Sequence, residues 1–244
     1  MHLRLTPSTA PAYDQRVNHE PLQYSNTIED YLQTILTMRR ENEPPILARI
    51  KERLGVSAPT ALAALRRMQR DGLVHLEHGR SVELTAEGLT AAKSIIRRHM
   101  LAERLLIDVL KIEWADAHEE AHRMEHAISP IVERHLLAIL GSPTTCPHGN
   151  PIPGFDSQEQ PETRPLSEVH EGEHVTISSI SEHAEEDHDL MRYLQRTGLV
   201  PDADIAIEEV TPPNGTITVS LGADHRRVAV GIPAAGVIQV RNVA

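Results

Sequence analysis

The chain has 244 residues, with 24 Lys and Arg against 35 Asp and Glu, giving a formal charge of −11 at pH 7. That balance excludes a protein that coats nucleic acid by bulk positive charge, and the single cysteine, Cys146, excludes both an intramolecular disulfide and a multi-cysteine zinc site. Aromatic residues are only 2% of the chain, so its cores must be built from Leu, Ile, Val and Ala, in two or three modules of ordinary size.

Residues 1–25 are rich in Pro, Thr, Ser and Asn without a period, and are expected to form a loose N-terminal extension. They lack the continuous apolar stretch of a secretory signal, and no later run is long enough to span a bilayer, so no membrane association and a cytoplasmic location are expected. In TIEDYLQTILTMRR, Ile28, Tyr31, Leu32, Ile35, Leu36 and Met38 recur at the helical period, which predicts a helix over Thr27–Arg40 with Thr27 as its cap. Two short amphipathic helices follow, Ile46–Leu54 and Ala58–Arg70, joined by the tight turn Gly55-Val56-Ser57, and together they read as a helix-turn-helix. Leu73–Leu76, a polar tip at 77–80 and Ser81–Leu84 then read as a β-ribbon, which makes the module a winged helix. Between Arg39 and Arg80 there are nine basic residues against five acidic ones, so this segment is locally positive inside an acidic protein.

A recognition helix presents its N-terminal residues to the major groove. Ser57, Pro59 and Thr60 are therefore the candidates for base contact, Arg66 and Arg67 for phosphate contact, and Arg80 at the wing tip for the backbone or minor groove. Ala61, Ala63 and Ala64 offer methyl groups only, so much of the specificity is expected to come from DNA shape.

Thr85-Ala86-Glu87-Gly88 opens a long helix running to about Leu110, with His99 and Glu103 four residues apart on it. The next helix contains HEEAHRMEHAIS, in which His118, His122, Glu125 and His126 share one helical face. That face is either a solvated stripe in a His-rich chain or a metal site, since imidazole and carboxylate are ligands that divalent transition metals accept. Ser129-Pro130 stops this helix and caps another, IVERHLLAIL. The Pro- and Gly-dense residues 142–165 read as a linker. After it the period changes from 3.6 to 2, and HVTISSI, ADIAIEEV, GTITVSL, RVAV and GVIQVR predict a small SH3-like β-barrel. The fold class is thus mainly α with a β module. The domains are expected at 26–96 for the winged helix, 97–150 for a helical metal-binding and dimerisation unit, 151–165 for the linker core and 166–244 for the barrel.

The chain resembles the metal-dependent transcriptional regulators typified by the diphtheria toxin repressor, the iron-dependent regulators and the manganese transport regulators. The likeness runs from Thr27 to the C-terminus, and its most specific stretches are LARIKERLGVSAPT, RDGLV, HMLAERLL, HEEAHRMEHAIS and HGNPIPG. It implies a homodimer in which metal binding sets two winged helices at the spacing of a double-stranded DNA operator. It also implies two sites: an effector site of Asp30, His122, Glu125 and His126, and an accessory site of His99, Glu103 and His118 with a barrel ligand near Asp187. Iron sensors of the family have Met where Asp30 stands and Cys where His122 stands, whereas manganese sensors have Asp at the first position and usually Glu or Cys at the second. Asp30 therefore points to Mn(II) as the effector, with Fe(II) as the alternative that His122 admits. Gln33 stands where some manganese sensors carry a further carboxylate.

Two other classes compete with a regulator that is no enzyme. His118, Glu119 and His122 match the H-E-x-x-H pattern of a zinc metallohydrolase, which needs Glu119 to face the metal as a base. A metal store would bind no DNA with or without metal.

Overall fold

The computed structural model describes residues 24–77, 81–155, 162–222 and 225–243. Helix α1, Asn26–Arg40, buries the apolar face read from its period, with Leu32, Ile35 and Met38 fully inside; each such side chain contributes roughly 1.5–3 kcal/mol. The helix starts one residue before the expected cap, because Ser25, in extended conformation, takes the N-cap position that Thr27 was expected to hold. Helices α2, Leu47–Arg53, and α3, Ala58–Arg70, follow across a turn at Gly55, whose φ of +62° favours glycine. Ser57 caps α3 by accepting from the Thr60 amide at 3.3 Å, and Pro59 lies in the first turn, where its missing N–H costs nothing.

The ribbon consists of β1, Val74–Glu77, and β2, Ser81–Leu84, paired antiparallel with Val74 opposite Leu84. Helix α4, Ala86–Arg104, starts at the Thr85 cap. A side chain at Gly88 would come within 2.0 Å of the Leu73 carbonyl, so only glycine lets α4 lie against the ribbon. The long helix does not continue regularly to Leu110; residues 105–109 widen into a π turn. Helix α5, Ala117–Met124, is likewise shorter than expected and tightens into a 3₁₀ turn at Glu125–Ala127. Ser129 then caps α6, Pro130–Ile139. One core joins α1 to α6 and the ribbon.

That core also includes Cys146 and Ile152, which corrects the linker reading for the first half of 142–165. Residues 142–155 are packed: Cys146 is 1% exposed, His148 and Ile152 are fully buried, Thr145 bridges Pro151, and Arg104 holds the carbonyls of Thr145 and Cys146.

The C-terminal part is a six-stranded antiparallel sheet around a second core. Its strands are β3, Arg164–Pro165, β4, His174–Ile180, β5, Asp204–Thr211, β6, Thr216–Leu221, β7, Arg226–Gly231, and β8, Ile238–Asn242, in the order β3-β8-β4-β5-β6-β7. A 3₁₀ turn at Glu182–Glu186 and helix α7, His188–Thr197, connect β4 to β5, and helix α8, Ile232–Ala235, precedes β8. Among the described residues no helix is long and apolar enough to cross a membrane.

Candidate metal centre

Three of the four expected effector residues, Asp30, Glu125 and His126, converge where α1 meets the end of α5, and His122 joins them through Glu125. His126 Nε2 lies 3.0 Å from Asp30 Oδ1 and 3.5 Å from Glu125 Oε1, and His122 Nδ1 lies 3.0 Å from the same Glu125 oxygen. The 3₁₀ turn positions Glu125 and His126, so the shared face is not that of one regular α-helix. The other ring nitrogen of His126, Nδ1, is 2.6 Å from Glu29 Oε2, and the other oxygen of Glu29 accepts from Arg98 Nη2 at 2.8 Å. With Nδ1–H donating to Glu29, the lone pair of Nε2 is left facing Asp30 and Glu125. A ligating histidine is commonly held in this way, its second nitrogen bound to a carboxylate.

A second cluster lies deeper, and its expected members His99, Glu103 and His118 all meet. Three imidazole nitrogens converge on Glu103 Oε1: His99 Nε2 at 3.1 Å, His118 Nδ1 at 3.3 Å and His148 Nδ1 at 3.3 Å. Glu185 Oε2 faces His118 Nδ1 at 3.1 Å and His148 Nδ1 at 3.2 Å. Glu185, not Asp187, is thus the residue that the barrel brings to this cluster. Asp187 instead caps α7, accepting from the Leu190 amide at 3.0 Å, and His188 is engaged by Asp116. His148 and Glu185 were missed from sequence, as was Cys146, whose sulfur falls within 4.8 Å of the Glu103 and His148 ligand atoms. The signal available was a Cys and a His two residues apart in CPHGNPIPG. His99 joins the two clusters, because its Nδ1 lies 2.5 Å from Glu125 Oε2.

The protonation of these groups reflects the burial and charges around them. Burial disfavours the charged form of His99, yet Glu103 and Glu125 outweigh it and hold the pKa well above the ordinary value. His148 is raised likewise against its own burial, by Glu185 and Glu103, and His118 reaches about 9 through Glu103 and Glu185. Burial works against ionisation of Glu125, but the imidazoles of His122 and His99 facing it bring it down to about 2. Burial raises Asp30, with His126 and His122 opposing, and pushes the Cys146 thiol up to about 12.

The donor set fits a divalent metal. Asp30 Oδ1, Glu103 Oε2, Glu125 Oε1 and His148 Nδ1 are buried without a hydrogen-bond partner, an arrangement that costs free energy unless something else satisfies them. His148 Nε2 donates to the Trp114 carbonyl at 3.3 Å, which leaves Nδ1 as a potential ligand in the neutral ring. A cavity of about 450 Å³ is lined by Asp30 and His122 of the first cluster and by His99, Glu103, His118 and Glu185 of the second, among others.

The H-E-x-x-H arrangement is not assembled. His118 and His122 belong to different clusters, and Glu119, whose side chain is 65% exposed, pairs with Arg123. In the winged helix, Ser57 at the N-cap of α3 and Pro59, Thr60, Arg66 and Arg67 on it are all exposed, whereas Ala61 is buried and unavailable to DNA. Arg80 lies outside the described residues.

Three family models match the chain in succession: the iron dependent repressor N-terminal DNA binding domain over residues 23–82, the iron dependent repressor metal binding and dimerisation domain over 85–154, and the FeoA domain over 164–242. The chain is 39% identical over 228 residues to the iron-dependent repressor IdeR of Mycobacterium leprae, covering 89% of this chain and 98% of that protein. It is 45% identical over 131 residues to the diphtheria toxin repressor of Corynebacterium diphtheriae, covering 54% of this chain and 58% of that one. A manganese-dependent transcriptional repressor solved in complex with manganese superposes with a TM-score of 0.80 at 35% identity, covering 88% of this chain and all of that one. The chain belongs to this family of metal-dependent transcriptional repressors.

Proposed function

From that membership we propose a manganese-responsive repressor of metal-uptake genes that binds a double-stranded DNA operator as a homodimer and cross-responds to Fe(II). Asp30, His122, Glu125 and His126 hold the effector metal. His99, Glu103, His118, Glu185 and His148, with Cys146 beside them, form the accessory site. The observation that carries the reading is the 3.0 Å approach of Asp30 to His126, since Asp30 belongs to the first helix of the DNA-binding module and His126 to the helical unit behind it.

These residues would hold a divalent metal, which would supply positive charge to the orphaned oxygens and compete with protons for the imidazoles. Held in this way, Asp30 would tie α1 to the end of α5 and limit how the winged helix sits on the rest of the chain. Glu29 and Arg98 keep His126 turned toward that junction. Ser57, Pro59 and Thr60 meet bases, and Arg66, Arg67 and Arg80 meet phosphates. Mn(II) is the weakest binder of the divalent series and is selected by oxygen ligands, geometry and availability. Asp30 and Glu125 offer those oxygens, and the Cys146 sulfur lies at the accessory cluster rather than the effector site. The exposed apolar side chains Val109 at the end of the π turn, Leu110 just after it, and Ile131, Val132 and Ile139 on α6 support burial against a second copy.

The test is operator binding in chelator and then in Mn(II), Fe(II) and Zn(II). Tight binding with Mn(II), appreciable binding with Fe(II) and little in chelator are expected; equal binding throughout would refute the proposal.

A further inference from the structure

The turn that carries Glu185 to the accessory cluster also grips the end of α1. Glu182 Oε2 accepts from Thr37 Oγ1 at 2.8 Å, and its Oε1 is 2.8 Å from Arg40 Nη1 in an ion pair whose side chains are 14% and 24% exposed. The His183 amide donates to Glu41 Oε1 at 2.8 Å. The second oxygen of Glu41, Oε2, accepts at 2.8 Å from Arg53 Nη2, at the last residue of α2, and Arg53 also bonds Glu43. Arg40 reaches the Pro151 carbonyl at 2.9 Å, so the segment bearing Cys146 and His148 is fastened to the same helix end.

Glu41 therefore divides its two oxygens between the C-terminal module and the helix-turn-helix. Residues 182–186 form one short 3₁₀ turn, closed by Ala184 N to Ser181 O at 2.9 Å and Asp187 N to Ala184 O at 3.0 Å. A shift of Glu185 must move Glu182 and His183 with it. Only the few residues after Arg40, among them Pro44 and Pro45, separate α1 from α2 in sequence, so the pairing of Arg53 with Glu41 and Glu43 helps set the angle of α2. Coupling between sites requires an element that both of them bias, and this turn touches both.

We infer that Glu41 is a positioning residue that relays the state of the accessory cluster to the helix-turn-helix, through Glu185, the 182–186 turn, Glu41 and Arg53. The inference rests on the accessory site binding metal. This route is separate from the junction of Asp30 with His126. It gives the C-terminal module a part in DNA binding without contact to DNA.

The experiment compares wild type with Glu41→Gln, which keeps the side-chain volume but leaves one carbonyl oxygen for two donors. Two quantities are read: the Mn(II) bound without DNA, by calorimetry, and the ratio of operator Kd in chelator to operator Kd in saturating Mn(II). Glu41→Gln is expected to fill both clusters with affinities within about twofold of wild type, while the ratio falls by at least about fivefold, within the usual range of coupling. Glu182→Gln, which leaves Glu41 on Arg53, should lower the ratio in the same direction. In a His118→Ala background, where the accessory cluster is impaired, Glu41→Gln should add no further loss. An unchanged ratio in both single variants, or an equal loss in the His118→Ala background, overturns the relay. Wild type filling only one cluster would instead overturn the accessory-site reading, and the relay with it.

Discussion

Nε2 of His126 lies 3.0 Å from Oδ1 of Asp30, so the helix that begins the DNA-binding module and the turn that ends α5 face each other across a gap of ligand atoms. Neither atom forms a good hydrogen bond there: Asp30 Oδ1 is buried without a partner, while the proton of His126 is directed from Nδ1 to Glu29. In the proposed reading a cation held by both residues would complete the contact, and the consequences can be measured residue by residue.

Glu29 holds His126 by Nδ1, while Nε2 faces Asp30. Glu29→Gln is expected to weaken Mn(II) binding by about 10–100-fold, the usual effect of losing a carboxylate behind a ligating histidine. A competition titration against a coloured chelator measures it. Unchanged affinity would show that the Glu29 carboxylate does not hold the ring.

The clusters also predict a pH dependence. His118 is raised to about 9, so its contribution to metal-free stability is complete below its ordinary value of 6.5 and is lost as the pH rises through about 9. Glu125 works in the opposite sense: lowered to about 2, it contributes above its ordinary 4.5 and loses that contribution as the pH falls through about 2. Metal-free protein should therefore melt at a lower temperature at pH 9.5 than at pH 7, while Mn(II)-loaded protein, whose histidines have already lost their protons, should not show this fall. Metal binding near pH 7 should release protons, measurable as a buffer-dependent heat. A heat independent of buffer would contradict the account.

On the DNA side, Arg66→Ala and Arg67→Ala should weaken binding to all sequences and reduce the salt slope by about one unit each, because a phosphate contact releases counterions without reading bases. Thr60→Ala should alter sequence preference instead; the Ser57 cap on the Thr60 amide survives that change. Filter binding over a salt series with a randomised operator separates the two effects. An altered preference in the arginine variants would reverse the assignment.

Ile139 is 64% exposed on α6 and Leu110 is 56% exposed after the π turn. Ile139→Asp or Leu110→Asp should convert the dimer to monomer in sedimentation, since a buried unpaired carboxylate is costly. The metal clusters of each chain should remain. A variant that stays dimeric would place the interface elsewhere.

Much of the fold was legible because its elements carry periods. α1 has a continuous apolar face, α3 follows a glycine turn and a serine cap, and apolar residues alternate with polar ones along β6, TITVSL. Asp30, His99, Glu103, His118, His122, Glu125 and His126 were singled out through helical spacing and family resemblance together, and in the structure each falls in one or more overlapping groups of His and carboxylate side chains. Glu185 was not legible, because it sits on a 3₁₀ turn in an acidic run where spacing does not fix the direction of a side chain. The reading near Asp187 fell two residues away, on the residue whose carboxylate caps α7. His148 and Cys146 were hidden in a segment whose Pro and Gly content resembles a linker. Its ordering comes from tertiary partners that local pattern does not encode, namely Arg40, Arg104 and the Ile180 carbonyl held by Asn150. The end of α5 at Met124 was also illegible, since no proline or glycine marks it.

The most direct test of the link between metal and DNA-reading helix is operator binding by wild type and Asp30→Met under anaerobic conditions, titrated with Mn(II) and with Fe(II). A thioether is a softer ligand than a carboxylate, so the variant should lose Mn(II)-dependent binding by roughly tenfold or more and lose less of its Fe(II)-dependent binding. If Asp30→Met kept full Mn(II) activation, Asp30 would not be an effector ligand, and metal would not act on the DNA-binding module through the junction of Asp30 with His126.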